Sequence, residues 1–145
     1  MIKKYKFWLT LTVVFQLLTG LIHTLSFFNK HQPVNEKEEQ LLDLLYNYKI
    51  DMGAGFMRSM HDLFTSLSIA FMLLFLFGGI LNWYLLKNED KVNVIKGIVL
   101  INTFIFGGCL LAMIVFAFLP PIVLNGLVFV SLMGTLLTIP RSIQS

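Results

Sequence analysis

The stretch Leu63–Leu86 decides the fold: its sequence, LFTSLSIAFMLLFLFGGILNWYLL, contains no charged residue. An α-helix needs about 20 apolar residues to cross the ~30 Å hydrocarbon core of a bilayer. Three other runs are close to that length or longer, namely Phe7–Phe28, Val92–Leu119 and Ile122–Ile139. The sequence therefore predicts an all-α integral membrane protein with four spans at about 7–28, 58–86, 92–119 and 122–139.

The composition leaves room for one membrane domain over residues 1–145 and for no separate soluble domain. A mean hydropathy of +0.78 with 57% hydrophobic residues would make a water-soluble monomer of this size very hard to keep in solution. The polar turn Lys87–Lys91 and the pair Pro120–Pro121 leave almost no loop between consecutive spans. Because such short connections force neighbouring helices to be antiparallel, we expect an up-down-up-down four-helix bundle.

The positions of the basic residues predict the orientation. Four of them lie in the first connection: Lys30, Lys37, Lys49 and Arg58. Seven lie in the N-terminus, the second connection and the C-terminus: Lys3, Lys4, Lys6, Lys87, Lys91, Lys96 and Arg141. Cytoplasmic loops carry the excess of lysine and arginine, so both termini are predicted to be cytoplasmic and residues 29–62 to lie outside. This placement next to the spans also argues against a nucleic-acid partner.

The first connection contains a predicted amphipathic helix over residues 36–50. Asn35 followed three residues later by Glu38 is typical of a helix start. Leucines and a tyrosine then recur at helical spacing, at positions 41, 42, 44, 45 and 48. We expect this helix to lie across the outer end of the bundle with its leucines facing inward.

A polar stripe runs along the first span. Its members are spaced four, three, four and three residues apart: Thr12, Gln16, Thr19, His23 and Ser26. Such a stripe should face the protein interior, because lipid cannot pair its donors and acceptors. Two interpretations stay open. The stripe either makes interhelical hydrogen bonds, or it forms with the second span a polar cavity wall made of Gln16, Thr19, Thr65 and Ser68.

A candidate polar cluster combines His23 with the start of the second span. Antiparallel pairing would bring His23 close to Arg58, His61 and Asp62 in the outer half of the membrane. An imidazole beside a carboxylate can act as a general acid or base. The alternative is an ordinary helix start at the interface. The histidine spacing matches no zinc motif, so we expect no metal and no cofactor.

Two asparagines lie at similar depths in the second and third spans. Asn82 precedes Lys87 by five residues, and Asn102 follows Lys96 by six. Across a short turn these depths match, so we predict a hydrogen bond between Asn82 and Asn102.

Two short motifs carry a resemblance over about the first 86 residues. Gly20-Leu-Ile-His23 late in the first span and Arg58-Ser-Met-His-Asp62-Leu63 at the start of the second resemble those of small uncharacterised four-helix membrane proteins of bacteria. The layout is similar to that of DoxX-like proteins in architecture only. The resemblance implies a bacterial cytoplasmic membrane and no particular reaction.

Two functional classes follow. The first is a non-enzymatic protein that binds a lipid or another hydrophobic molecule, or serves as an accessory subunit. The second is a membrane-embedded enzyme acting on a lipidic substrate through His23, His61 and Asp62. The expected partner is the lipid bilayer, and the alternative of a homo-oligomer is left open.

Overall fold

The computed structural model describes residues 4–26, 32–88 and 92–140, with no account of the Ser26 side chain. The predicted end of the first span at Phe28 lies outside the described residues. So do four basic residues of the orientation argument: Lys3, Lys30, Lys91 and Arg141.

Helices dominate the described chain. The elements are α1 (Lys4–Ser26), α2 (Glu36–Asn47), β1 (Lys49–Asp51), β2 (Met57–Ser59), α3 (Met60–Lys87), α4 (Val92–Phe116) and α5 (Leu119–Thr138). Four of them, α1, α3, α4 and α5, are long and apolar enough to cross a membrane. The prediction of an all-α protein with four candidate spans is therefore confirmed as far as helix length and composition go.

The first connection contains a β-hairpin that the sequence did not reveal. Helix α2 ends at Asn47, three residues before the predicted end, and β1 then pairs antiparallel with β2. Gly53, Ala54 and Gly55 all have positive φ, which glycine adopts without strain. They form the turn between the strands, and β2 continues directly into α3.

The two prolines lie inside α5 rather than between helices. Helix α5 begins at Leu119, so Pro120 and Pro121 occupy its first turn and the connection is Ala117–Phe118. The first N–H groups of a helix have no intrahelical acceptor, so proline loses no hydrogen bond there. The predicted turn at Pro120–Pro121 is therefore displaced by about three residues.

The chain divides into two compact units. One consists of Met1–Gly20 and Leu74–Ser145, and the other of Leu21–Leu73. The first unit contains most of α1, the second half of α3, and α4 and α5. The second contains the end of α1, the segment with α2 and the hairpin, and the first half of α3.

Glycines allow close helix packing in the first unit. A Cβ added at Gly134 of α5 would overlap the indole of Trp8 in α1, with Trp8 Cε3 at 2.7 Å. A Cβ at Gly79 of α3 would lie 2.7 Å from Leu17 Cδ2. Small residues of this kind let membrane helices approach each other, where dispersion and not the hydrophobic effect holds them together.

Replacing Gly134 by alanine is expected to destabilise the protein by about 1–3 kcal/mol, because the added methyl group has to displace the rigid Trp8 ring. Gly97 is the matched control, since nothing lies within 4 Å of a Cβ placed there. Gly97→Ala should be neutral or stabilising. Equilibrium unfolding in mixed micelles measures both changes; equal stability of the two variants would contradict the packing described here.

Candidate functional site

The start of α3 is built as a capping box. The Ser59 backbone N–H donates to Asp62 Oδ2 at 3.0 Å, and the Asp62 N–H donates to Ser59 Oγ at 3.1 Å. The two residues thus pair two backbone donors reciprocally at the start of the helix. Ser59 is buried, at 2% exposure, whereas Asp62 is exposed. The Asp62 carboxylate therefore has a structural role here.

The other two members of the cluster, Arg58 of β2 and His61 of α3, also have local partners. The His61 ring lies 4.3 Å from the Tyr46 ring, and its Nε2 is 3.5 Å from Thr65 Oγ1. Arg58 donates to the Met57 carbonyl at 3.2 Å and lies over the Phe56 ring at 5.7 Å. This arrangement fits the structural interpretation of an interfacial helix start.

His23 lies at a different depth from His61. Its neighbour Thr24 donates to Met72 Sδ at 3.1 Å, so this part of α1 adjoins Met72 of α3. Met72 follows His61 by eleven residues, which corresponds to roughly 16 Å along the helix at ~1.5 Å per residue. Thr65 is roughly 10 Å from Met72 by the same measure. The structure therefore does not bring half-buried His23 together with His61 and Asp62.

The capping box yields a test of its structural role. Ser59→Ala is expected to lower the free energy of unfolding by about 1 kcal/mol, since it leaves the Asp62 N–H without its acceptor. Asp62→Ala should lower it as well. Ser66→Ala, at an exposed position one turn further on, is the control and should change stability by under about 0.5 kcal/mol. If Ser59→Ala matched the control in a micelle unfolding titration, the cap would have no stabilising role.

The first unit contains a buried amide pair that joins α1 to α3. Asn82 Nδ2 donates to Gln16 Oε1 at 2.9 Å, and both side chains have 0% exposure. A Cβ at Gly78, one turn before Asn82, would lie 2.6 Å from Gln16 Nε2. Glycine at position 78 is thus what lets the Gln16 amide approach α3. Among the described residues, Gln16 Nε2 and Asn82 Oδ1 are buried without a further hydrogen-bond partner.

The predicted hydrogen bond between Asn82 and Asn102 is wrong in its partners. Asn82 pairs with Gln16 instead, and Asn102 Nδ2 donates to the Ile98 carbonyl of its own helix at 3.2 Å. Both amides are nevertheless buried, with 0% and 5% exposure. Matching depth along two helices does not fix their rotation, and rotation selects the partner.

The four residues of the predicted cavity wall have different surroundings. Gln16 lies in the amide pair, and Thr19 is buried with its hydroxyl donating to the Phe15 carbonyl at 2.7 Å. In the second unit, Thr65 lies beside His61, and Ser68 is half-buried one turn before Met72. The hydrogen bonds of Gln16 and Thr19 favour helix pairing and a helix back-bond rather than a polar cavity.

Polar residues of α5 complete this buried core, and the sequence analysis missed them. Thr12 Oγ1 donates to Ser131 Oγ at 3.0 Å, which joins α1 to α5. Asn125 Nδ2 is 3.5 Å from the Phe106 carbonyl, and Thr135 donates to the Ser131 carbonyl at 2.9 Å. The spacing of Ser131 and Thr135 by four residues, in line with buried Leu132 and Val128, was the available signal.

The amide pair is expected to show energetic coupling between α1 and α3. In a double-mutant cycle of Gln16→Leu and Asn82→Leu, the coupling should be about 0.6 kcal/mol and at most ~1.7, as for other hydrogen bonds between membrane helices. Gln16→Leu combined with Asn93→Leu, at an exposed position of α4, should be additive within about 0.5 kcal/mol. Additivity in both cycles, measured by unfolding in micelles, would show that the amide pair does not link the helices.

An apolar groove of about 650 Å³ lies between α4 and α5. Its walls are almost entirely hydrocarbon: Leu100, Thr103, Phe104, Gly107, Gly108, Leu110, Leu111, Phe129, Met133 and Leu136. The one hydroxyl among them, on Thr103, donates to the Val99 carbonyl at 2.8 Å. The groove therefore offers an occupant no free hydrogen-bonding side chain.

Comparison with known proteins adds no family assignment: no family model, no curated protein and no solved structure matches this chain. Within residues 4–26, 32–88 and 92–140, no three histidine, cysteine or acidic side chains are grouped so that they could hold a metal ion.

Proposed function

We propose that this chain is a non-enzymatic membrane protein that holds a lipid acyl chain, or a molecule of the same hydrocarbon character, in the groove between α4 and α5. The observation that carries the proposal is the groove itself. Its volume of about 650 Å³ falls within the ~300–1,000 Å³ range of ligand sites in proteins. Walls of leucine, phenylalanine and methionine favour a hydrocarbon chain over a polar head group.

The surroundings of the side chains that could act in catalysis also favour a non-enzymatic protein over an enzyme. Asp62 accepts from a backbone N–H in a helix cap, and His61 lies against Tyr46. His23 lies beside Thr24, which contacts Met72, and Met72 is roughly 16 Å from His61 along α3. Acid–base chemistry needs its groups within hydrogen-bond reach of the same substrate. The enzymatic alternative, which depends on these three residues acting together, is therefore the less favoured one.

The proposed setting is a bacterial cytoplasmic membrane with both termini in the cytoplasm and the four spans arranged up-down-up-down. The excess of lysine and arginine at the termini and the second connection supports this orientation. Local contacts in the first unit are consistent with antiparallel neighbours. Residues late in α5 (Gly134, Ser131) adjoin residues early in α1 (Trp8, Thr12).

Filling the groove tests the proposal. Gly108 lines it, and nothing lies within 4 Å of a Cβ placed there, so Gly108→Leu starts a side chain in open space at the groove. The measurement is cross-linking of the purified protein to a phosphatidylcholine that carries a photoreactive group on its acyl chain. We expect Gly108→Leu to reduce labelling of α4 and α5 several-fold.

Gly97→Leu is the matched control for this experiment. Gly97 is on the same helix, is equally open and does not line the groove, so labelling should stay at the level of the unaltered chain. Labelling spread evenly over all four spans, or equal in the two variants, would mean that the groove holds no particular chain.

A further inference from the structure

Helix α2 presents an uncovered apolar stripe. Leu41, Leu44 and the C-cap residue Tyr48 are spaced three and four residues apart, and their side chains are 62%, 57% and 61% exposed. This spacing places them on one face of the helix. The sequence analysis expected the leucines to face inward. Leu42 and Leu45 do lie on a half-covered face together with Glu38, whereas Leu41 and Leu44 are exposed.

The charges of α2 are separated from this stripe. The exposed acidic residues Glu36, Glu39 and Asp43 form a third face, roughly 140° around the helix at ~100° per residue. The charged side chain in line with the stripe is Lys37, which precedes Leu41 by one turn. A lysine can lay its apolar stem along a hydrophobic surface and keep its ammonium group in water. This distribution is typical of a helix that lies at a membrane interface.

The hairpin fixes where α2 ends relative to the membrane. Strand β1 follows Tyr48 directly, and its first residue, Lys49, pairs with Ser59. Paired residues of antiparallel strands have Cα atoms about 5 Å apart. Ser59 is also the residue that caps α3, which is one of the candidate spans. The C-terminal end of α2 is therefore held next to the start of a membrane-spanning helix.

Neither α2 nor the hairpin has a core of its own. Helix α2 has 12 residues, none of them buried, and isolated helices shorter than ~12–15 residues are marginal in water. A two-stranded hairpin alone is marginal too. We propose that α2 lies in the interfacial region of the bilayer, with Leu41, Leu44 and Tyr48 among the upper acyl chains and its acidic face towards water. This proposal is independent of the α4–α5 groove.

Site-directed spin labelling tests the proposal on the full-length protein. In a Cys109→Ala background, nitroxides are attached to Leu41→Cys and Leu44→Cys on the stripe, and to Glu39→Cys on the acidic face as the control. These positions are exposed, so the labels disturb little packing. In phosphatidylcholine vesicles, power saturation should give the two stripe labels a several-fold higher ratio of oxygen to nickel-chelate accessibility than the control.

Two other outcomes would overturn the proposal. Stripe labels as accessible to the nickel chelate as the Glu39→Cys label would place the whole helix in water. Stripe labels protected from both oxygen and nickel would show that protein covers the stripe, either from this chain or from a second copy. Repeating the measurement at two protein-to-lipid ratios distinguishes those two sources, because only a second copy can be diluted away.

Discussion

The interior of a bilayer contains no water to pair a polar group, and this constraint governs the positions of the polar residues in the spans. Thr12, Gln16, Asn82, Asn125, Ser131 and Thr135 are all buried at 1% exposure or less. Two of the contacts among them, Gln16–Asn82 and Thr12–Ser131, connect α1 to α3 and α1 to α5. In hydrocarbon these bonds fix which helix faces meet, since apolar surface alone would be covered equally well by lipid.

The glycines act together with those bonds. Gly78 makes room for the Gln16 amide, and Gly134 makes room for Trp8 one turn from Thr12. The Gln16–Asn82 and Thr12–Ser131 hydrogen bonds thus each have a glycine close by on the partner helix. The polar contacts specify the rotation of α1 about its own axis. The glycines let α1 approach its neighbours closely enough for these contacts to form.

The sequence was sufficient for the number and approximate bounds of the spans, because the length of an apolar run depends only on the run itself. It was insufficient for side-chain partners. Asn82 was given the wrong partner, since one residue of helix rotation turns a side chain by ~100°. The pairing of His23 with His61 failed for a related reason: the axial offset between α1 and α3 brings Thr24 to Met72, eleven residues past His61.

The start of α3 shows why sequence patterns at a membrane boundary are ambiguous. Arg58, His61 and Asp62 have the residue types of an acid–base site, and Ser59 followed three residues later by Asp62 also has the pattern of a helix cap. Both interpretations use the same carboxylate, but they require different surroundings. A catalytic carboxylate needs a second group aimed at the same substrate, whereas a capping carboxylate needs only the backbone N–H that Ser59 supplies at 3.0 Å. The cap needs only Ser59 and Asp62, which are three residues apart in the sequence at the start of the helix. It therefore forms without any contact to the distant His23.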